Sequence, residues 1–341
     1  MLPVILFGVG INCYAHEALP VIKTNELKKL GVTDKHYQSY NIEMIELTGG
    51  WFWKPYGEKG YKTTPDTKKN IPQGMNPDAY QYIPPVNLNN EKLITLAKAL
   101  SPAYIRVSGT WANSTYFSPD GKITTPPHGF NNVLTGKQWA SLVNFSNTVG
   151  SPIPIWVTET GESACGGNPW AGTFLDTFRY TDQLGRLARK GVSVVAHNTL
   201  AVSDYSLLDE KNYNPKPDYW AALLWSKLMG NVVLDTPSTS PDLHLYAQCL
   251  KNSPGGVTLL ALNINNNAFS VKLDKPVDIY QLSADGNINK SSVLLNGNKL
   301  QLTSDNRIPH LSPLKNEGRV IIPARSIVFM AVKKAHNPYC Y

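Results

Sequence analysis

Ile153-Pro-Ile-Trp-Val-Thr-Glu-Thr-Gly-Glu-Ser-Ala-Cys-Gly-Gly167 is an apolar run that ends on a carboxylate and then breaks at paired glycines. An apolar run of this length reads as a strand buried on both faces, and a carboxylate at its C-terminal end sits where α/β barrels place reactive groups. Glu159 is therefore the first candidate for catalysis, with a capping or salt-bridging glutamate as the alternative. Burial at a strand end raises a carboxyl pKa unless donors surround it, which is how a catalytic carboxylate is tuned. The amides of Gly166 and Gly167 are placed to approach an anionic ligand closely, or simply to make a tight turn.

Outward from this run the chain alternates. Downstream, Phe174, Phe178, Leu184, Leu187 and Ala188 form a helical stripe over 173–190 that closes at Gly191, and 192–200 is again a buried strand. A further helix is expected over 217–230, with Pro217 in its first turn and Gly230 at its end. Upstream, strands are expected at 38–47 and 103–107 and helices at 91–100 and 135–150, with Asn90 and Thr135 as caps. Residues 48–90 form a stretch rich in Gly, Pro, Asn, Tyr and Trp without a clear period. Past about residue 231 helices stop, and short alternating strands follow at 244–250, 257–263, 269–273, 277–282, 320–322 and 327–332, the pattern of an antiparallel β-sandwich. The fold class is α/β: an incomplete TIM-barrel-like (β/α) domain over 17–231, then an all-β sandwich domain over 232–341.

The 341 residues are 42% hydrophobic and 17% charged, with 25 Gly and 25 Pro, which excludes intrinsic disorder and supplies material for two domains. The net charge of +7 favours an anionic partner such as an acidic polysaccharide, a nucleic acid or a membrane surface, although the charges are scattered and form no run of five. Residues 1–16 are expected to be a signal peptide, with Leu2–Ile11 as its apolar core and Ala15 before the cut; a buried first strand is the alternative. Sequons at Asn113, Asn144 and Asn289 fit a glycosylated, secreted protein. Of the four cysteines, Cys13 would leave with the signal peptide, and a bridge between Cys249 and Cys340 would pin the C-terminus to a sheet, leaving Cys165 as the odd thiol. No zinc spacing, phosphate loop, Gly-x-Ser-x-Gly elbow, zincin helix or dinucleotide fingerprint is present, so the usual support for serine hydrolase, metalloprotease and nucleotide readings is missing. His197 ends a buried strand and is the histidine with the best case for facing a site, against the commoner case of a satisfied core histidine.

These residues resemble glycoside hydrolase family 79, the heparanase and β-glucuronidase group. The resemblance is carried by Trp156–Gly167, Asp176-Thr-Phe178, Leu184-Gly185, Ala188-Arg189, Gly191, Val194-Val195, Tyr205, Leu208-Asp-Glu210, Pro217-Asp-Tyr-Trp220 and Leu100–Thr110, in order and spacing. It implies a secreted, metal-free and cofactor-free retaining hydrolase in which Glu159 is the nucleophile toward a glucuronic-acid-containing glycan. Gly166, Gly167 and Tyr205 would hold the sugar carboxylate, and Glu43, Thr110 and Asn198 match positions lining the subsite. The Cys249–Cys340 pair matches the family's disulfide. A membrane or extracellular-matrix association accords with such a substrate; a nucleic acid is not an expected partner.

One departure is large. Retention needs a second carboxyl group beside the nucleophile. The family carries it in an Asn-Glu-Pro motif on an earlier barrel strand, and Asn-Glu here, at Asn25, Asn90 and Asn316, never precedes Pro. Four strand candidates precede residue 231, where a closed barrel has eight. The acid/base is thus unassigned, with Glu162 or Asp204 as deputies; the alternatives are a non-catalytic carbohydrate-binding relative and a chain lacking a central segment.

Overall fold

The computed structural model describes residues 21–43, 46, 50–55, 77–84, 86–88, 90–108, 115–118, 120–123, 127, 132–135, 155–162, 168–237 and 241–341. In the first part of the chain these residues form β1 (Val21–Ile22), β2 (Lys29–Val32), β3 (Gln38–Glu43), β4 (Gly50–Trp53), β5 (Tyr80–Ile83), α1 (Glu91–Ala99), β6 (Ile105–Ser108), β7 (Thr115–Ser118) and β8 (Asn132–Thr135). Then come β9 (Ile155–Thr160), α2 (Phe174–Arg189), β10 (Val192–His197) and α3 (Pro217–Leu228). Beyond α3 no further α-helix occurs among the described residues. The strands there are β11 (Met229–Leu234), β12 (Leu243–Leu250), β13 (Val257–Asn263), β14 (Phe269–Leu273), β15 (Val277–Ala284), β16 (Val293–Leu295), β17 (Asn298–Lys299), β18 (Leu314–Asn316), β19 (Arg319–Ile322) and β20 (Ser326–Val332).

The architecture is α/β with parallel, antiparallel and mixed sheets. A four-stranded parallel sheet has the order β6-β3-β10-β9, a nine-stranded sheet is built mainly from the C-terminal strands, and a three-stranded sheet joins β1, β14 and β19. Two readings of the sequence change here. Residues 48–90, read as aperiodic, contain the antiparallel pair β4–β5. Residues 21–32, read as part of the α/β unit, pair with the C-terminal sheets: β1 with β14 and β2 with β11. The helix expected from Thr135 falls, after Thr135 itself closes β8, on residues outside the described set.

Local chemistry explains where α1 and α3 begin. The Asn90 side chain accepts from the Leu93 amide and caps α1, whose buried Leu93 and Leu96 anchor it. Pro217 opens α3, where its missing N–H costs nothing. That helix is buried nearly all round, because α2 and α3 lie between the parallel sheet and the nine-stranded sheet. One core therefore runs from Tyr40, Ile42 and Val195 through Phe174, Leu184, Leu223 and Leu224 to Leu260, Leu262, Ile327 and Phe329. The opposite face of the nine-stranded sheet packs on the three-stranded one through Ile22, Val271, Ile322, Leu259, Ala261, Val328 and Met330. Even and odd positions of β13 and β20 thus serve different cores, so these strands are continuously buried rather than alternating.

Helix and sheet come very close at Gly185 of α2. A Cβ there would lie 2.4 Å from the Tyr246 ring of β12, and the Tyr246 hydroxyl donates to Asp182 one turn earlier. The Cys249–Cys340 disulfide is formed, with Cα atoms 5.3 Å apart, and ties the end of the chain to β12. Closing a loop of this size stabilises by roughly 4–5 kcal/mol in the chain-entropy model.

Candidate active site

In a parallel pair, residues in register point to the same face of the sheet. Asn41 of β3 is level with Arg106 of β6, and Ser39 with Ala196 of β10. Stepping by two puts Glu43 on the face of Asn41 and Arg106, and Asn198, just past β10, on the same face. The Asn41 side-chain amide donates to Asn198 Oδ1 at 3.3 Å, which confirms this. The register of β9 against β10 shifts between Val195 and His197, leaving His197 level with Thr160. Thr160 donates to Gln183 of α2 and so faces the helices. Glu159 faces the other way, where its carboxylate meets Arg106 Nη1 at 3.0 Å.

Arg106 and Glu159 stand on the two outer strands of this sheet. Three strand spacings would hold those strands about 14 Å apart if the sheet were flat. The long side chains of the ion pair cover that span over β3 and β10, and beside them Tyr104 stacks on Trp156 with ring centres 5.2 Å apart. At the C-terminal end of this face of the sheet Glu43, Arg106, Glu159 and Asn198 come together.

The two carboxyl groups differ in environment. The Glu159 side chain is 46% exposed, so the buried strand-end carboxylate expected from the sequence is not this one: β9 is an outer strand of its sheet. The buried one is Glu43, 3% exposed. Burial and then the negative charge of Glu159 push its pKa up to about 7, against a hydrogen bond from Asn198 and the charge of Arg106. Behind it, Glu46 accepts from the Glu43 amide at 2.9 Å. Full burial raises Glu46 to about 8, with the charge of Glu43 adding to the shift.

Of the other residues picked from the sequence, His197 lies on the helix-facing side, fully buried. Its Nε2 is 2.8 Å from the Tyr205 carbonyl and its ring stands edge-on to Tyr180. Burial lowers its pKa to about 4. Tyr205 is itself buried. The structure thus brings Glu43, Glu159 and Asn198 together and places His197 apart from them. Gly166, Gly167, Thr110 and Cys165 lie outside the described residues. Neither deputy acid joins the cluster: Glu162 accepts from Asn168 and feels Asp176 and Arg179 of α2, and Asp204 lines a separate cavity of about 360 Å³ with Asp209, Glu210 and Lys216. Sequence reasoning did not single out Arg106. Its sign was within reach: Arg106 and Glu159 both lie in expected strands of the barrel-like unit. Among the described residues no cluster of His, Cys, Asp and Glu could hold a metal ion.

No family model matches the chain. Among curated proteins it is 33% identical over 205 residues to heparanase of Mus musculus, covering 54% of this chain and 38% of that protein. It is 30% identical over 207 residues to baicalin-β-D-glucuronidase of Scutellaria baicalensis, covering 58% and 39%. To hyaluronoglucuronidase of Hirudo nipponia it is 29% identical over 204 residues, covering 55% and 42%. Among solved structures, a 4-O-α-L-rhamnosyl-β-D-glucuronidase from Fusarium oxysporum is 15% identical with a TM-score of 0.43, covering 52% of this chain and 43% of that one. The chain spans less than half the length of these curated relatives. It is thus similar to heparanases and β-glucuronidases over a little more than half of its own length.

Proposed function

We propose that the chain is a retaining glycoside hydrolase acting on glucuronic-acid-containing glycosides or polysaccharides, with Glu159 as the nucleophile. The observation that carries this reading is the strand register, which gathers Glu159, Glu43, Arg106 and Asn198 on one face of the parallel sheet. The named activities of the curated relatives support the substrate class.

The parallel sheet is read as an arc of a (β/α) barrel. In a closed ring the first and last strands pair, and here β3 pairs with β10 while β6 and β9 lie outside them. The C-terminal strands form a β-sandwich unit beyond about residue 231, joined by residues 21–32. An extracellular setting belongs to the same reading, since a disulfide such as Cys249–Cys340 persists in oxidising compartments. Among the described residues no helix is long and apolar enough to cross a membrane. A matrix or membrane-surface association would come from the glycan substrate and the net charge of +7.

The test is turnover of 2,4-dinitrophenyl β-D-glucuronide and labelling by 2-deoxy-2-fluoro-glucuronyl fluoride. Label on Glu159, lost in Glu159→Gln together with all turnover, is the expected result, because the amide keeps the shape but cannot attack the anomeric carbon. Glucuronide binding without label or turnover would identify a non-catalytic carbohydrate-binding relative instead.

A further inference from the structure

We infer that Glu43 is the proton donor and later the base of this site, the partner of Glu159 in a double displacement; the assignment rests on the glycosidase reading above. Three structural observations lead to it. Glu43 stands at the C-terminal end of β3 on the face that carries Arg106, and Arg106 in turn holds Glu159. It is the buried carboxyl of the pair, in contact with Asn198, while Glu159 is half exposed. The deputies suggested by the sequence, Glu162 and Asp204, are engaged elsewhere.

Paired carboxyls whose surroundings push their pKa values apart divide into acid and nucleophile. Burial and the Glu159 charge together hold Glu43 protonated up to about pH 7. In the first step a Glu159 oxygen bonds to the anomeric carbon, the bond from that carbon to the leaving oxygen breaks, and the Glu43 proton passes to that oxygen. Glu159 is then an uncharged ester. With its neighbour's charge gone, Glu43 becomes a stronger acid and remains ionised. It then takes a proton from water; the resulting oxygen bonds to the anomeric carbon, and the Glu159 carboxylate leaves. The sum is glycoside plus water giving glucuronic acid plus alcohol, with both glutamates restored. Asn198 supplies the hydrogen bond to the ionised form, and Arg106 supplies positive charge to both carboxylates. Among the described residues Glu46 also meets Glu43, through the Glu43 amide.

The experiment compares the wild type, Glu43→Gln and Glu159→Gln on phenyl and 2,4-dinitrophenyl β-D-glucuronides. A proton donor matters most for the poor leaving group. Glu43→Gln is therefore expected to lose about 10²–10⁴-fold in kcat/KM on the phenyl glucuronide and less than about tenfold on the dinitrophenyl one. The basic limb of the wild-type pH profile, near 7, should vanish in the variant, and azide should restore turnover by giving the β-glucuronyl azide. Labelling of Glu159 by the fluoro-glucuronide should persist, which a merely misfolded variant would not allow. Should Glu43→Gln not fold, Glu43→Asp carries the test, with a loss of at least about tenfold confined to the phenyl substrate. A variant labelled at Glu159 with the wild-type leaving-group dependence and pH profile overturns this assignment alone. A wild type inert to the dinitrophenyl glucuronide and unlabelled at Glu159 overturns it together with the glycosidase reading.

Discussion

The charge cluster on the parallel sheet makes Glu43 responsive to its neighbours in opposite directions. Glu159 raises its pKa and Arg106 lowers it. In Glu159→Gln one like charge is gone, so the Glu43 carboxyl, followed by ¹³C NMR of glutamate-labelled protein, is expected to titrate below the wild-type value of about 7. In Arg106→Gln it should titrate above that value, and the basic limb of the pH–rate profile should move up with it. An unchanged titration in both variants would mean that the three side chains do not share one environment. His197 shows the opposite lesson. One residue before Asn198, it points to the other side of the sheet, where its ring is buried among helix residues and serves packing.

Gly185 and Cys249 matter through the elements they join. Gly185 lets α2 approach β12 so closely that the Tyr246 ring occupies the space a Cβ would need. Gly185→Ala gains helix propensity of up to about 1 kcal/mol but forces ring and helix apart in a filled core, which costs about 1–3 kcal/mol. The expected outcome is a net fall in the midpoint of urea unfolding. The disulfide acts differently, by restricting the unfolded chain across a sequence separation of 91 residues. Cys249→Ser is expected to lower stability by roughly 2–5 kcal/mol, read from the same unfolding curves. Intact unfolding curves in that variant would indicate that the terminal segment is held by other contacts, such as those of Asn337 with the Thr24 and Leu27 carbonyls.

For the molecule as a whole, buried titratable groups set the pH dependence of stability. Glu43 and Glu46, raised to about 7 and about 8, hold protons in the fold that the unfolded chain has released. Their contribution is full below the ordinary carboxyl range and is lost as pH rises through those values. Asp218, raised by burial and by Asp176, has the same sign. His197, lowered to about 4, works oppositely: its contribution is present above the ordinary histidine value and is lost as pH falls toward 4. Lys216, buried and lowered to about 8, costs stability while charged and ceases to do so at higher pH. Between about pH 6.5 and 8 the carboxyls act without opposition from His197 or Lys216, so stability should fall there by up to about 1.4 kcal/mol per pH unit for each group titrating. Glu46→Gln should flatten that decline in urea unfolding series. A wild-type stability that rises across this range would contradict the burial of these carboxyls.

By itself the sequence determined the main helices and most of the longer strands, though not β1, β2, β4, β5, β7 or β8. The apolar run into Glu159, the stripe of α2, the Asn90 cap and the strand alternation after residue 231 are local patterns, fixed by side-chain periodicity and capping chemistry within a few residues. The residues of the heparanase-type resemblance likewise marked Glu43, Glu159 and Asn198. Tertiary structure alone decided what those residues face. That β9 is an outer strand among those described left Glu159 half-exposed and Glu43 as the buried carboxyl. The register shift between β9 and β10 put Glu159 on the face of Asn198, where Arg106 reaches it, and Thr160 on the face of His197. Residues 21–32 joined sheets built from strands some 200–250 positions later. Register and long-range pairing depend on what packs against each face, and no window along the chain contains that information.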